Sequence, residues 1–244
     1  MLPIVRIGFF NISTFQIILI ISFYVCYAYL LLTKPYNWLY RRDYIHLMIW
    51  TLVSGAAGGK LLSAFTLYIQ DDSKSFFYYL VHGGSVFYGI LVTGFCVAYM
   101  IGKKYEIDFC RYVSEIAEVL PLGQAIGRIG CFMNGCCYGK EYNGPLGVMY
   151  PVGEEKIRVF PTWFVESFVC MLLFLFFRKK RFEQSRYTFL FYFVVYGSYR
   201  FLIEFLRGDD IRGVYGELST SQIISIILVL CSMIYFILMK KGEK

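Results

Sequence analysis

Charged residues are scarce in this chain, and their scarcity excludes an ordinary soluble domain. Only 17% of the 244 residues are charged, whereas soluble domains carry about a quarter. Hydrophobic residues make up 58% of the chain, and they recur in blocks of about 20, the length that an α-helix needs to cross a bilayer core. We therefore predict an all-α, polytopic membrane protein. Its net charge of +7 requires no nucleic-acid partner, because excess Lys and Arg usually mark cytoplasmic loops.

Histidine is also rare, with two residues in the chain. The sequence shows no internal repeat, low-complexity tract or linker that would divide it. We predict a single transmembrane domain over residues 1–244, with 138–158 as its longest outer loop. The first apolar run lacks a small-residue cleavage site, so we expect no cleavable signal peptide. The eight cysteines do not form a secreted disulfide framework. Only Cys131, Cys136 and Cys137 cluster, and the others are isolated in the sequence.

The apolar blocks predict seven spans, at about 13–32, 45–69, 76–101, 113–133, 159–177, 187–206 and 217–239. We expect the fourth to end in a broken or re-entrant segment, because it contains a proline and three glycines. One set of connections and the C-terminal tail carry 14 of the 24 Lys and Arg residues, the opposite set carries seven, and three lie within the spans. This asymmetry predicts an N-out, C-in orientation.

The sixth span carries a row of polar residues in "YGSYRFLIEFLRGDD". Tyr196, Arg200, Glu204 and Arg207 recur at helical spacing, so they share one helix face. They form either an ion pair that lets the helix cross the membrane or a polar wall that lines a cavity for an anion. Two arginines against one glutamate leave a positive charge, and phosphate suits the planar fork of arginine.

The stretch "GQAIGRIGCFMNGCCYGK" places Arg128 between glycines, followed by Asn134 and the three clustered cysteines. Such a segment could be a tight inter-helix turn or an approach of backbone to a ligand. Zinc is an alternative, but the cysteine spacing is not the C-x2-C of most structural sites, and we predict no bound metal. A disulfide within the cluster is possible on an oxidising face.

Four further polar residues lie in apolar segments. Lys60 either packs among small residues or extends to the interface, and His82 is either a hydrogen-bonded packing residue or a catalyst. Tyr88 lies six residues after His82 in the same stretch, "VHGGSVFYGIL". Glu166 could pair with Arg128 or Lys60, or remain protonated.

These motifs together resemble the bacterial prolipoprotein diacylglyceryl transferase family over most of the chain. "GRIGCFMNGCCYG" resembles the family signature through Arg128, Asn134 and Gly139. "YGSYRFLIEFLRGD" and "LSTSQIISI" resemble the late arginine helix and final span, "FPTWFVE" resembles a His-Pro-Thr-Gln-Leu-Tyr-Glu motif, and "GGKLL" resembles Gly-Ala-Arg-Leu-Leu with Lys60 in place of arginine.

The chain departs from the family pattern mainly at the candidate proton acceptor. The family histidine, in a Phe-His-Gly-Gly motif, falls on Tyr88 by spacing, whereas His82 in "HGG" matches the local letters six residues earlier. In the signature, Cys131 replaces the first asparagine and Cys136 the glutamate. Phe160 stands in place of the histidine of the Pro-Thr motif.

The resemblance implies transfer of a diacylglyceryl group from phosphatidylglycerol to the lipobox cysteine thiol of prolipoproteins, forming a thioether. It implies that Arg128 and Arg200 bind the phosphodiester, that Glu204 orients the arginines, and that Tyr88 or His82 takes the thiol proton. The substrate-binding set that it implies is Arg128, Asn134, Gly139, Tyr196, Arg200, Arg207 and Lys60. We expect no cofactor, and a location in the bacterial inner membrane with the active site toward the outer leaflet.

Two other functions fit the departures. A diverged transferase on the same fold could use another donor or acceptor lipid. A non-enzymatic lipid-binding or transport protein would favour a polar path through the whole bilayer, whereas the strongest motifs here cluster toward one side.

Overall fold

The computed structural model describes residues 4–7, 10–33, 42–70, 73–83, 86–152, 155–179, 187–208, 214–215 and 218–242. The helices are α1 (Thr14–Thr33), α2 (Arg42–Gln70), α3 (Phe76–His82), α4 (Phe87–Lys104), α5 (Phe109–Asn134), α6 (Thr162–Lys179), α7 (Thr188–Ile203) and α8 (Thr220–Gly242), with a 3-10 turn at Glu204–Leu206. The strands are β1 (Ile4–Ile7), β2 (Phe10–Ser13), β3 (Val148–Val152), β4 (Glu155–Val159), β5 (Val214–Tyr215) and β6 (Leu218–Ser219).

Helices dominate this structure, and many of them suit a bilayer. Five helical segments of the described chain are long and apolar enough to cross a membrane: Thr14–Thr33, Arg42–Ile69, Tyr112–Asn134, Thr188–Leu206 and Ser221–Lys241. Large apolar side chains on these helices are widely exposed, as expected where the surrounding solvent is lipid. A polytopic membrane protein is thus supported, while the number of seven spans stays a prediction.

The chain forms two compact units, residues 31–112 and residues 1–30 with 113–244. In the smaller unit, α2 and α4 pack with their backbones close together. A Cβ atom added to Gly89 would lie 2.4 Å from the carbonyl oxygen of Gly58. Thr93 on α4 donates a hydrogen bond to the Ser54 carbonyl at 2.9 Å, which ties the same two helices together.

The predicted span at 76–101 is wrong as one continuous helix. The chain forms α3 and then α4, with Gly83 as the C-terminal cap of α3. The Gly83 amide donates to the Tyr79 carbonyl, but its extended backbone, with ψ 161°, leaves the helical path. Gly83, the first glycine of "HGG", therefore ends a helix inside this apolar block.

The expected break at the end of the fourth span is also wrong, because α5 is helical from Phe109 to Asn134 with Pro121 inside it. Proline removes one backbone donor, and hydroxyls from other helices bond to the carbonyls that follow. Ser22 on α1 donates to the Gly123 carbonyl at 2.9 Å, and Ser167 on α6 donates to the Ala125 carbonyl at 2.9 Å. These two bonds join α5 to α1 and α6 just beyond the proline.

The segment predicted as a long outer loop, 138–158, contains most of an antiparallel hairpin. Strands β3 and β4 pair in the register Val148↔Val159 to Val152↔Glu155. One face of the hairpin is anchored, because Tyr150 and Val159 are fully buried and pack with Trp163 and Cys131. Two further strand pairs, β1 with β2 and β5 with β6, make the chain mostly helical rather than strictly all-α.

Candidate functional site

Two arginines and two glutamates of the larger unit form one group of ion pairs. They come from α5, from α6, and from α7 with the turn that follows it. Arg128 on α5 contacts Glu166 on α6 through Nη2 and Oε1 at 3.0 Å. Nη1 of Arg200 on α7 reaches the same oxygen of Glu166 at 3.1 Å. Nη2 of Arg200 lies 2.9 Å from Oε2 of Glu204, one helical turn further on. We call Arg128, Glu166, Arg200 and Glu204 the ion cluster.

The two carboxylates of the ion cluster are almost completely buried, while both guanidinium groups keep a solvent-accessible edge. Side-chain exposure is 1% for Glu166 and 4% for Glu204, against 17% for Arg128 and 14% for Arg200. Buried charges are tolerated only when they are paired, and the four charges sum to zero. The sequence pattern instead predicted two arginines beside Glu204 and a surplus positive charge on the helix that carries them.

Both carboxylates have further polar surroundings. Oε1 of Glu204 accepts a hydrogen bond from the Ser219 hydroxyl at 3.1 Å. Oε2 of Glu166 is buried without a hydrogen-bond partner among the described residues. A buried acceptor without a donor is costly, so Glu166 depends on its two arginine partners to be tolerated at this depth.

Tyr196 precedes Arg200 by one helical turn on α7, which places both residues on one face of the helix. Its ring stacks on that of Tyr192, with centroids 5.5 Å apart and planes at 7°. Tyr196 and Arg200 thus share one helix face as predicted. Arg207 does not share it, because it follows the 3-10 turn with an extended backbone (φ −81°, ψ 142°).

Gly139 and Arg207 are brought together by backbone pairing. They form an antiparallel bridge, and the amide of Lys140 donates to the Leu206 carbonyl at 2.8 Å. The close packing requires glycine, since a Cβ atom at residue 139 would lie 2.4 Å from the carbonyl oxygen of Phe160. Arg207 is buried, with 7% of its surface exposed.

The signature segment ends α5 through a left-handed residue. Gly135 has a φ of +80°, and the amide of Cys136 donates to the Cys131 carbonyl at 3.2 Å. This six-residue closure is the Schellman ending of a helix. The last helical residue, Asn134, accepts a hydrogen bond through Oδ1 from the Ser13 hydroxyl at 3.1 Å.

The three clustered cysteines converge in space. The Sγ atoms of Cys131, Cys136 and Cys137 all lie within 4.8 Å of one another, and all three are free thiols. We call these three residues the thiol triad. It adjoins the ion cluster, because Nη1 of Arg128 lies 4.0 Å from the Cys131 sulfur.

The surroundings of the thiol triad favour negative charge on one sulfur. The pKa of the Cys137 thiol lies below its usual value because the Cys131 thiol, followed by the Cys136 thiol, donates a hydrogen bond to it. The positive charges of Arg207 and Arg128 lower this pKa further.

Residues at the start of α6 hold the triad segment, and our sequence analysis assigned them no role. Nε1 of Trp163 donates to the Cys136 carbonyl at 2.8 Å, and the Thr162 hydroxyl donates to the Cys137 carbonyl at 2.6 Å. Trp163 is fully buried. The polar tip of a buried tryptophan needs an acceptor, but the sequence alone does not say where that acceptor lies.

The remaining predicted site residues belong to the smaller unit. Nζ of Lys60 donates to the carbonyls of Gly83 at 2.9 Å and Val81 at 3.4 Å. His82 is exposed, and its ring stacks on Tyr78 with centroids 4.4 Å apart. Tyr88 lies in α4, but its side chain is outside the described part of the chain. The roles predicted for these three residues stay predictions.

Comparison with known proteins gives one consistent result. A family model described as prolipoprotein diacylglyceryl transferase matches residues 3–238. A phosphatidylglycerol–prolipoprotein diacylglyceryl transferase of Clostridium tetani (strain Massachusetts / E88) is 35% identical over 208 residues, 81% of each chain. A protein of Clostridium perfringens (strain 13 / Type A), named phosphatidylglycerol–prolipoprotein diacylglyceryl transferase 2, is 32% identical over 231 residues, 90% of this chain and 89% of its own.

Proposed function

The chain belongs to the prolipoprotein diacylglyceryl transferase family, and we propose that it transfers a diacylglyceryl group from phosphatidylglycerol to a prolipoprotein thiol at the ion cluster. The resemblance of the signature segment is thereby confirmed. We further propose that the acceptor is the lipobox cysteine and that the product is a thioether.

The observation that carries this assignment is the meeting of Arg128 and Arg200 on one buried oxygen of Glu166. The shared carboxylate holds two guanidinium groups in fixed positions. Each guanidinium has five N–H donors, and the ion pairs engage one nitrogen of Arg128 and two of Arg200. Donors therefore remain on both arginines for the oxygens of a phosphodiester, which suits their planar geometry.

The reaction places growing negative charge where these arginines lie. The acceptor sulfur, as thiolate, forms a bond to the terminal carbon of the diacylglyceryl group, and the bond from that carbon to the phosphate oxygen breaks. The electron pair of the broken bond stays on the departing glycerol phosphate. Because the cations meet more negative charge in the transition state than in the ground state, they lower the barrier.

Other residues of the site orient this machinery. Glu204 holds Arg200 through Oε2 and is itself held by Ser219. Arg207 adds a further buried positive charge beside Gly139. Asn134 and Tyr196 offer uncharged polar groups to the glycerol or the phosphate. The family resemblance implies a substrate-binding role for Lys60 as well, on α2 of the smaller unit.

His82 and Tyr88 are the two candidates for the proton acceptor of the thiol. Nδ1 of His82 lies 3.1 Å from the Tyr78 carbonyl oxygen. A carbonyl oxygen only accepts, so Nδ1 carries the proton of the neutral ring and Nε2 holds a lone pair that can take one. Replacement by His82→Gln and Tyr88→Phe distinguishes the candidates, because loss of the base lowers kcat by about 10²–10⁴ and leaves phosphatidylglycerol binding intact.

We also propose the topology that the charge pattern indicates. Seven spans in an N-out, C-in orientation, within one transmembrane domain, would place the signature segment at the outer leaflet of the bacterial inner membrane. Cysteine accessibility labelling from each side of the membrane tests this proposal.

The decisive experiment compares Arg128→Ala and Arg200→Ala with an Arg178→Ala control, whose side chain is exposed at the end of α6. Labelled phosphatidylglycerol and a lipobox peptide are supplied to purified protein, and the thioether product is measured. We expect either cluster variant to lower kcat/KM by about 10²–10³, the effect of losing one transition-state donor group. Full activity in both cluster variants, or no thioether product from the unchanged protein, would refute the assignment.

A further inference from the structure

The thiol triad is assembled by the way α5 ends. In a Schellman ending, the third-last helical position and the second residue beyond the helix cap come into contact, usually through apolar side chains. Here these two positions are Cys131 and Cys136, joined by the hydrogen bond from amide 136 to carbonyl 131. The sequence spacing of these cysteines does not match a common metal motif. The helix ending nevertheless brings their sulfur atoms within 4.8 Å of one another.

Cys137 reaches the same point through an unusual backbone conformation. Its φ is +62°, in the left-handed region that residues other than glycine seldom adopt and that is costly for them. The Thr162 hydroxyl holds its carbonyl at 2.6 Å. A conformation that costs free energy and is held by neighbours is typical of a functional position.

The resulting geometry suits one soft metal ion. Zn²⁺ takes thiolate ligands at about 2.3 Å in a tetrahedron, so its sulfur ligands lie about 3.8 Å apart. The three sulfurs, already within 4.8 Å of one another, need shift by only about 1 Å to meet this distance. Three thiolates on Zn²⁺ leave one net negative charge, and the Arg128 guanidinium beside the Cys131 sulfur offsets it.

Three protein ligands leave a fourth position open, which is the pattern of catalytic rather than structural zinc. The described residues supply no fourth thiol, histidine or carboxylate to this group. An open position on zinc takes water or a substrate atom. Sulfur is a preferred ligand for zinc, and the transferase reaction requires a sulfur nucleophile beside Arg128.

We propose that Cys131, Cys136 and Cys137 bind one Zn²⁺ ion whose fourth position takes the acceptor cysteine of the prolipoprotein as a thiolate. The role in catalysis rests on the proposed function, whereas the metal site itself does not. Zinc binding would supply what the departures from the family pattern remove, because the three sulfurs occupy the altered signature and the family histidine is absent from its usual position.

The chemistry of this step balances without any redox partner. The acceptor thiol displaces the zinc-bound water as the zinc–sulfur bond forms, and its proton passes to the proposed proton acceptor and from there to solvent. The bound sulfur then forms the carbon–sulfur bond while glycerol phosphate departs with the electron pair of the broken carbon–oxygen bond. The neutral thioether is a poor ligand, so water replaces it, and zinc remains Zn²⁺ throughout.

The first test measures zinc in the full chain, purified in detergent through a tag without histidine and without chelators. We expect about one zinc per chain, and its loss in Cys131→Ser, Cys136→Ser and Cys137→Ser. Cys231→Ser is the matched control, since Cys231 is exposed on α8. Zinc-free protein from zinc-supplemented cells, zinc retained when all three cysteines are replaced, or a disulfide within the triad would overturn the site.

A second measurement works even if the variants fail to fold. In the unchanged protein, the three thiols should resist alkylation until a strong chelator removes the metal, and mass spectrometry of the labelled peptides then counts them. Labelling of all three cysteines at equal rates with and without chelator contradicts metal binding.

A third measurement separates the site from the reaction. Protein loaded with Co²⁺ should show sulfur-to-cobalt charge-transfer absorption that rises with a lipobox peptide and not with its Cys→Ser form. An unchanged spectrum refutes acceptor binding at the metal. Transfer by zinc-free protein would remove the inference and leave the proposed function in place. Zinc and peptide binding without any transfer would remove the function and leave the metal site.

Discussion

Arg128 and Glu166, which lie on different helices, meet through Nη2 and Oε1 at 3.0 Å with the carboxylate almost fully buried. The contact links α5 to α6. Arg200 contacts the same oxygen and so links α7 to both helices. The position of the proposed phosphate-binding groups is thus set by one carboxylate.

Glu166→Gln should destabilise the larger unit. The substitution keeps the size of the side chain but leaves two guanidinium groups close together without their common counter-charge, which costs about 3–5 kcal/mol for a buried pair. We expect a lower thermal midpoint in detergent and weaker transferase activity. Arg128→Met on the Glu166→Gln background should cost less than the two separate effects combined, because the variants share one interaction. Strictly additive losses would show that the contact contributes nothing.

Arg200→Lys should lower transferase activity without unfolding the protein. Lysine keeps the positive charge, but its single ammonium group lacks the planar fork that contacts Glu166 and Glu204 from two nitrogens. We expect kcat/KM to fall by about tenfold or more, while the thermal midpoint changes little. Arg178→Lys is the control for charge-preserving replacement at an exposed site. Near-normal turnover by Arg200→Lys would mean that charge alone is sufficient.

Gly139→Ala should be harmful for steric reasons. The added methyl group would lie 2.4 Å from the Phe160 carbonyl oxygen, so the bridge to Arg207 must shift, at a cost of about 1–3 kcal/mol. Gly135→Ala is the informative comparison, because nothing lies within 4 Å of its added Cβ and only the φ of +80° opposes it. We expect about 1 kcal/mol there. Thermal midpoints and transfer rates of the two variants, measured together, should rank Gly139→Ala as the more damaging change.

Lys60→Met should weaken the smaller unit at the end of α3. The ammonium group donates to the carbonyl of Val81 in the last turn of α3 and to that of its cap residue Gly83, and methionine supplies no donor. Hydrogen exchange of residues 76–83 should accelerate in Lys60→Met and recover in Lys60→Arg, which restores both donor and charge. If exchange is unchanged while the KM for phosphatidylglycerol rises in Lys60→Met, the substrate-binding role predicted from the family is the better explanation.

The sequence predicted the helical, membrane-spanning class because apolar blocks of bilayer length are a local property. It also predicted that Tyr196, Arg200 and Glu204 share one helix face, because helical spacing alone determines which residues lie on the same side. It did not determine that Glu166 would take both arginines, because this pairing depends on how three helices pack. The sequence identified the three clustered cysteines, but their spacing disfavoured a metal site for a related reason. The separation of Cys131 from Cys136 becomes a contact only when the chain closes α5 through a left-handed Gly135.

The positions at which helices end were the least predictable features of the fold. Pro121 and the glycines of α5 resembled an ending, yet hydroxyls from α1 and α6 bond to neighbouring carbonyls. In contrast, Gly83 does end a helix. Helix-breaking residue types thus lie inside one helix and end another, and the local sequence pattern does not distinguish the two cases.

The ion cluster also bears on how the chain enters the bilayer during synthesis. Arg128 arrives first, and the next helix of the larger unit brings Glu166, so a helical pair carries matched charges before the third helix emerges. That third helix then brings Arg200 together with its own Glu204, one turn away. With respect to these four residues, Arg128 lacks a partner only until Glu166 emerges. Every later stage of insertion can reach neutrality without waiting for the C-terminal span.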